Sequence, residues 1–317
     1  MLLLLACTST ATFSSAQREA AVAAAEEVDR ARLMAHVVAM VALRDGEEPY
    51  YPPEARYEGM PHTHVGTAEY VADALAEAGL TPVVETSGEG ERDVRSVVAD
   101  IPGGSHGDEI VLVSAHHDAW FFGADDNATG VAVILEVARA LADAAPDRTV
   151  RIASFDREEE GLVGAAEYAR QHPDEAWHRV VNLDSVGYTD ATPGSQQSLL
   201  GLDAPDTGDF LAVIAPSFAQ EDLLASLALA EELEGPKYAG VVANGDSHGA
   251  LLSDLLRSDH APFWEMGVPG VFLTDTTEFR NPRYHTEEDT VDTLDADFLG
   301  EVGAFTAGLV AAFAEAG

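Results

Sequence analysis

Histidines and carboxylates recur in this 317-residue chain at places where they could hold a metal ion. The segment SAHHDAWFFGADDNATG, residues 114–130, places His116, His117, Asp118, Asp125 and Asp126 within eleven positions, directly after an apolar run. Further on, TVRIASF exits into Asp156 and then Glu158, Glu159 and Glu160. RVVNL exits into Asp184, and VPGVFL exits into Asp275 and, ten residues on, His285. Imidazoles and carboxylates without thiolates form a donor set that suits Zn²⁺ in a catalytic setting. A thiolate cluster is excluded, because Cys7 is the only cysteine. His116 and Asp118 are one residue apart, so in an extended segment both side chains point the same way. Asp118 can then accept the imidazole N–H and fix which nitrogen faces a metal.

Each of these motifs has a blander reading. A single His-X-Asp after a strand is more often a capped turn, GADDN alone is an Asx-rich helix start, and REEEG alone is a solvated charge run. The composition strengthens that objection, because 17 Lys plus Arg stand against 56 Asp plus Glu, for a formal net charge of -39. A lone acid in such a chain is weak evidence, and only spacing can promote one. So negative a surface also repels nucleic acid and anionic lipid headgroups, which excludes a phosphate-backbone partner, and it concentrates cations.

The elements that must position these residues follow from hydrophobic pattern. Ser14 and Ser15 can cap a helix over 17–43, and HVGTAEYVADALAEAG reads as a second amphipathic helix with Gly79 as its stop. Beyond these, apolar runs (RSVVADI, EIVLVSA, TVRIASF, RVVNLD, FLAVIA, VPGVFLTD) alternate with helical runs (TGVAVILEVARALADA, LVGAAEYARQH, EDLLASLALAEEL, ADFLGEVGAFTAGLVAAFAE). Near-continuous apolar strands separated by helices predict an α/β fold with a mostly parallel central sheet and helices on both faces. Such a sheet gathers its functional groups at the carboxyl ends of its strands. All the candidates above occupy those ends.

One domain over 16–317 is expected, with 189–244, rich in Gly, Pro, Ser and Asp, as an insertion or lid. Residues 1–15 read as a signal or lipoprotein segment. Leu4-Leu5-Ala6-Cys7 resembles a lipobox, which implies a lipid anchor at Cys7 and an exported protein (periplasmic, lipoprotein or secreted). No basic residue precedes the apolar run, so a cytoplasmic protein is the alternative.

The motifs SAHHDA, GADDNATGVAVILEVARAL, RTVRIASFDREEEGLVGAAEYA, VVNLDSVGY, SDHAPF and NPRYHTEEDT together resemble the di-zinc aminopeptidases of the bacterial leucyl aminopeptidase type. Glutamate carboxypeptidases and glutaminyl cyclases are similar to these. The resemblance covers 97–317 in order and implies the zinc-exopeptidase (phosphorylase/hydrolase-like) fold. It implies that His116 and Asp184 are ligands of one zinc, Glu159 and His285 of a second, and that Asp126 bridges both. It further implies that Asp118 orients His116, that the 126–127 peptide is cis, and, anchoring on Gly161-Leu162, that Glu158 is the general base. The implied activity is release of N-terminal residues from peptide substrates.

Two other readings are set beside it: a glutaminyl-peptide cyclotransferase working with one zinc, and a catalytically silent binding protein that keeps the fold. His117 is expected to face into packing, and His62 and His64 to be capping or surface groups. Ser258, Asp259 and His260, like Asp246, Ser247 and His248, mimic parts of a serine triad, but Ser258 has no Gly-X-Ser-X-Gly run around it to expose it, and helix capping is the expected role of that group. Trp120, Phe121 and Phe122 are candidates to wall a substrate pocket or plug a loop.

Overall fold

The computed structural model describes residues 12–46, 62–63, 65–87, 93–197, 205–243 and 255–317. Cys7, His64, and Asp246 to His248 lie outside them. Helix α1 (Ser15–Glu26) begins at Ser14, whose hydroxyl accepts the Gln17 N–H while the Gln17 side chain accepts the Ser14 N–H, a reciprocal cap. The single helix expected over 17–43 is two helices, and α2 (Arg30–Gly46) starts afresh. The reason is Asp29, whose carboxylate accepts the N–H groups of Ala31 and Arg32 and restarts the chain as a new helix. Helix α3 (Val65–Glu77) stops two residues before Gly79, which takes φ +89°.

Eight strands make one sheet: β2 (Val83–Ser87), β3 (Val94–Ile101), β4 (His106–His116), β6 (Arg148–Phe155), β7 (Ala176–Leu183), β8 (Leu211–Pro216), β9 (Tyr238–Ala243) and β10 (Gly270–Thr274). Short β1 (His62–Thr63) and β5 (Ala119–Trp120) pair separately. The order is β2-β3-β6-β4-β7-β10-β8-β9. The central four, β6-β4-β7-β10, are mutually parallel, as are β8 and β9, whereas β2, β3 and the β10–β8 join are antiparallel. The four strands that carry the candidate residues at their exits are therefore adjacent and point the same way.

Alternation along the strands divides the core between the two faces. Val111, Val113 and Ala115 of β4 pack with α1, α2, α3, α4 (Gly130–Leu141), α6 (Gln220–Glu232) and the C-terminal α8 (Ala296–Ala314). Leu112 turns to the other face, covered by α5 (Val163–Gln171) and the short α7 (Ala261–Glu265). Helix α8 is long and apolar enough to cross a membrane, but 78% of that apolar window is buried inside the fold, as in a core helix. Within 189–244, residues 211–243 supply strands β8 and β9 to the sheet and helix α6 to one of its faces. That part of the expected lid is scaffold.

Candidate metal centre

Strand β4 ends at His116, which is 1% exposed, and the turn that follows carries Asp126 back over the sheet edge before α4 begins. Asn127 pins this turn: its Nδ2 donates to the Leu183 carbonyl, and its Oδ1 accepts the N–H groups of Gly130 and Ser185. A Cβ on residue 130 would sit 2.2 Å from Asn127 Oδ1, so only glycine permits this approach. The Asp126–Asn127 peptide is cis, as the resemblance implies. Glu158 and Glu159 follow β6, Asp184 follows β7, and His285 lies in the loop after β10. Arg157, Ser185 and His285 all hold φ near +50°, a left-handed conformation costing roughly 1–2 kcal/mol in a non-glycine residue and recurrent at functional sites.

Asp126 stands at the centre. Its Oδ1 lies 3.2 Å from His116 Nε2, and its Oδ2 lies 2.9 Å from His285 Nε2. His116 Nε2 is also 3.4 Å from Asp184 Oδ1, and His285 Nε2 is 2.9 Å from Glu159 Oε2. Two three-donor sets result, His116 with Asp126 and Asp184, and His285 with Asp126 and Glu159, each compact enough to hold one ion. All five expected ligand residues meet. Glu158 joins His116 and Glu159 in a third grouping. Glu160 is exposed and paired with Arg157, so the first two glutamates of REEEG face the site and the third does not.

Residues 96–310 match the family described as Peptidase family M28. The chain belongs to peptidase family M28. Protein YfbL of Escherichia coli (strain K12) is 27% identical to this M28 chain over 256 residues, covering 74% of this chain and 76% of its own. Aminopeptidase YwaD of Bacillus subtilis (strain 168) is 30% identical over 203 residues, covering 62% of this chain and only 39% of its own length. The Legionella pneumophila LapA aminopeptidase superposes with a TM-score of 0.69 at 19% identity, over 96% of this chain and 77% of that one, and so shares the fold.

In this M28 chain the buried cluster sets four carboxylates (Asp126, Glu158, Glu159, Asp184) against two imidazoles. Burial works against charge on His116, yet Glu158 and Asp184 hold its pKa well above the usual imidazole value. Burial likewise opposes His285, but Glu159 and Asp126 lift it to about 11. Burial pushes Glu159 up to about 7, with Asp126 adding to the rise. It also raises Glu158 well above the carboxylate range, helped by Asp184 and Glu159 and opposed by His116. Asp126 goes the other way, because hydrogen bonds from both imidazoles overcome burial and lower it. Ionising all four carboxylates together would leave buried negative charge in excess of positive, which is why Glu158 and Glu159 hold their protons, and cations coordinated by these donors would offset it. The residues fit a metal.

Several neighbours organise this centre. Asp118, fully buried, accepts the Glu158 N–H on Oδ1 and the Glu159 N–H on Oδ2. His116 Nδ1 is nearer the Asp118 carbonyl (3.1 Å) than its Oδ1 (3.4 Å), so Asp118 orients the ring through both groups. His117 faces into packing as expected, 3.0 Å from Ser154 Oγ. His260 directs Nε2 to the Leu255 carbonyl and stacks on Phe272, while Ser258 accepts from Asn182, an arrangement unlike a triad. Trp120 meets His285 edge-on at 6.4 Å.

The remaining strand-exit acids serve the scaffold. Asp156 accepts the Arg95 N–H, and Asp275 accepts those of Tyr188 and Thr277. Sequence reasoning missed Tyr284, whose ring stacks on His285 at 3.7 Å, and Asp289, whose carboxylate reaches the Asp125–Asp126 backbone. The only signal for either was its place in NPRYHTEEDT, the motif that carries His285.

Proposed function

We propose that this M28 peptidase is an aminopeptidase with a co-catalytic two-zinc centre. The carrying observation is that the two oxygens of Asp126 face different imidazoles, each imidazole having a second carboxylate of its own. One carboxylate shared by two donor sets is the arrangement two neighbouring cations require. His116, Asp126 and Asp184 would hold one ion, and Asp126, Glu159 and His285 the other. The mixed nitrogen and oxygen donors suit zinc. Bound zinc supplies Lewis acidity, polarising a carbonyl and making a water easier to deprotonate.

Glu158 is the general base, taking the proton of the attacking water and handing it to the leaving amine. Asp118 holds the backbone of Glu158 and Glu159 against His116. Asp184 also borders a cleft of about 500 Å³, counting its open mouth, that is lined by Ile214, Leu255, Phe272, Phe279 and Tyr284. That lining favours an apolar side chain over a charged one. Arg257, the one cationic residue of that lining among the described residues, is paired with Glu278. The acidic surroundings favour a substrate's ammonium terminus over its carboxylate terminus.

The test is metal analysis of purified protein together with hydrolysis of aminoacyl-anilides, their N-blocked equivalents and glutaminyl peptides. Two zinc ions per chain and cleavage of free-amine leucyl and phenylalanyl substrates are expected. Activity confined to blocked substrates, or cyclisation of glutaminyl peptides without hydrolysis, overturns the reading.

A further inference from the structure

We infer that Asp289 is a positioning residue for Asp126, the ligand shared by both ions in the reading above, on which this inference rests. Asp289 is 1% exposed and lies four residues after His285. Its Oδ1 accepts the Asp125 N–H at 2.9 Å, its Oδ2 accepts the Asp126 N–H at 3.2 Å, and its backbone carbonyl accepts the Ala124 N–H at 3.2 Å. Three consecutive amides of the turn are thus held by one residue. The loop is itself fixed, since the Asp289 N–H donates to the Thr286 carbonyl and Thr286 Oγ1 donates to the Arg283 carbonyl.

The consequence is geometric. A shared ligand must present both oxygens at bond length to two ions, and metal–ligand distances tolerate only about 0.2 Å. Asp126 reaches His285 with Oδ2, and the chain four residues beyond that histidine returns to clamp the Asp126 backbone. One short loop therefore supplies a donor to the second ion and fixes the carboxylate that this donor must share. Groups that orient ligands in this way typically change metal affinity by about 10- to 100-fold when lost.

Asp289→Asn is the closest variant in shape, replacing one acceptor oxygen with an amide that opposes an N–H. Zinc stoichiometry and affinity, measured by competition with a chromophoric chelator, and the visible spectrum of the cobalt-substituted protein are compared with wild type and with Asp292→Asn, an exposed acid of the same region. Expected are a roughly 10- to 100-fold loss of affinity for at least one ion and a changed cobalt spectrum in Asp289→Asn alone. Wild-type affinity for both ions in a variant that is merely less stable overturns the inference. Should Asp289→Asn fail to fold, amide exchange in metal-free wild type decides: protected Asp125 and Asp126 amides are expected, and exchange at the rate of open-loop amides overturns it. Wild type binding fewer than two ions would instead defeat the two-zinc reading, and the exchange measurement still tests the clamp.

Discussion

His116 and Asp118 are bound to each other through the imidazole Nδ1, which lies 3.1 Å from the aspartate's carbonyl and 3.4 Å from its carboxylate. The same carboxylate accepts the amides of Glu158 and Glu159 across the gap between β4 and β6. Asp118→Asn keeps the shape but replaces one acceptor with a donor that faces an N–H. Its expected effect is a fall in zinc affinity and in kcat/KM of about 10- to 100-fold with the fold retained, read by chelator competition and circular dichroism. An unchanged metal affinity would show that Asp118 only staples the strands.

Replacing Glu158 by Gln removes the proposed base without removing a proposed ligand. The expected loss in kcat is about 10²- to 10⁴-fold, with zinc content kept. Glu160→Gln, whose target is exposed and paired with Arg157, should leave kcat near wild type. Reversal of the two results would move the base two residues along REEEG.

Metal removal should destabilise the protein. Each ion bound only by the folded state adds about 2.7 kcal/mol when free ion is at 100 times Kd, so a chelator should lower the melting temperature seen by calorimetry. In the metal-free protein Glu159 is pushed up to about 7 from its ordinary 4.5. The folded state then keeps a proton that the unfolded chain releases, so the contribution of Glu159 to stability should fall as pH rises from about 4.5 to about 7. Urea titrations of chelated wild type and chelated Glu159→Gln across that window check the sign by the difference of their slopes. A wild-type slope more positive than the variant's would contradict it.

His260 gives a second pH signature, independent of metal. Burial lowers its pKa to about 3 from 6.5, opposed only by its bond to the Leu255 carbonyl. Between those values the unfolded chain binds a proton that the folded chain does not, so this stability is present above 6.5 and is lost as pH falls towards 3. The slope approaches about 1.4 kcal/mol per pH unit for one group. His260→Gln keeps the donor to Leu255 and should flatten the acid side of the stability curve. Equal slopes for variant and wild type would exclude His260 as the cause.

The convergence of the site was legible because it follows from strand direction. Once β4, β6, β7 and β10 are read as parallel, their exits share an edge, whatever their distance in sequence. What escaped the sequence was of other kinds. Asp29 was hidden in an Ala/Glu-rich run whose helical period continues across it, although an aspartate before Arg30 is a helix-start signal. Edge strand β2 is short and half exposed, and β9 (YAGVVA) is built of small residues, so neither stands out as an apolar run. Asp289 sits in TEEDT, where every neighbour is equally acidic or polar. Its distinction comes only from a turn more than 160 residues earlier that the fold lays against it.

The spread of the donors along the chain has a consequence for biosynthesis. His116 is made early, but its partner set is not complete until Asp184 has been added, and the second set waits for His285, after the last strand of the sheet. A half-made chain can offer stray carboxylates to cations but no cradle for either one. If each set holds an ion as proposed, the second can load only in the nearly finished molecule, and a ribosome stalled before residue 285 would release a polypeptide without that set.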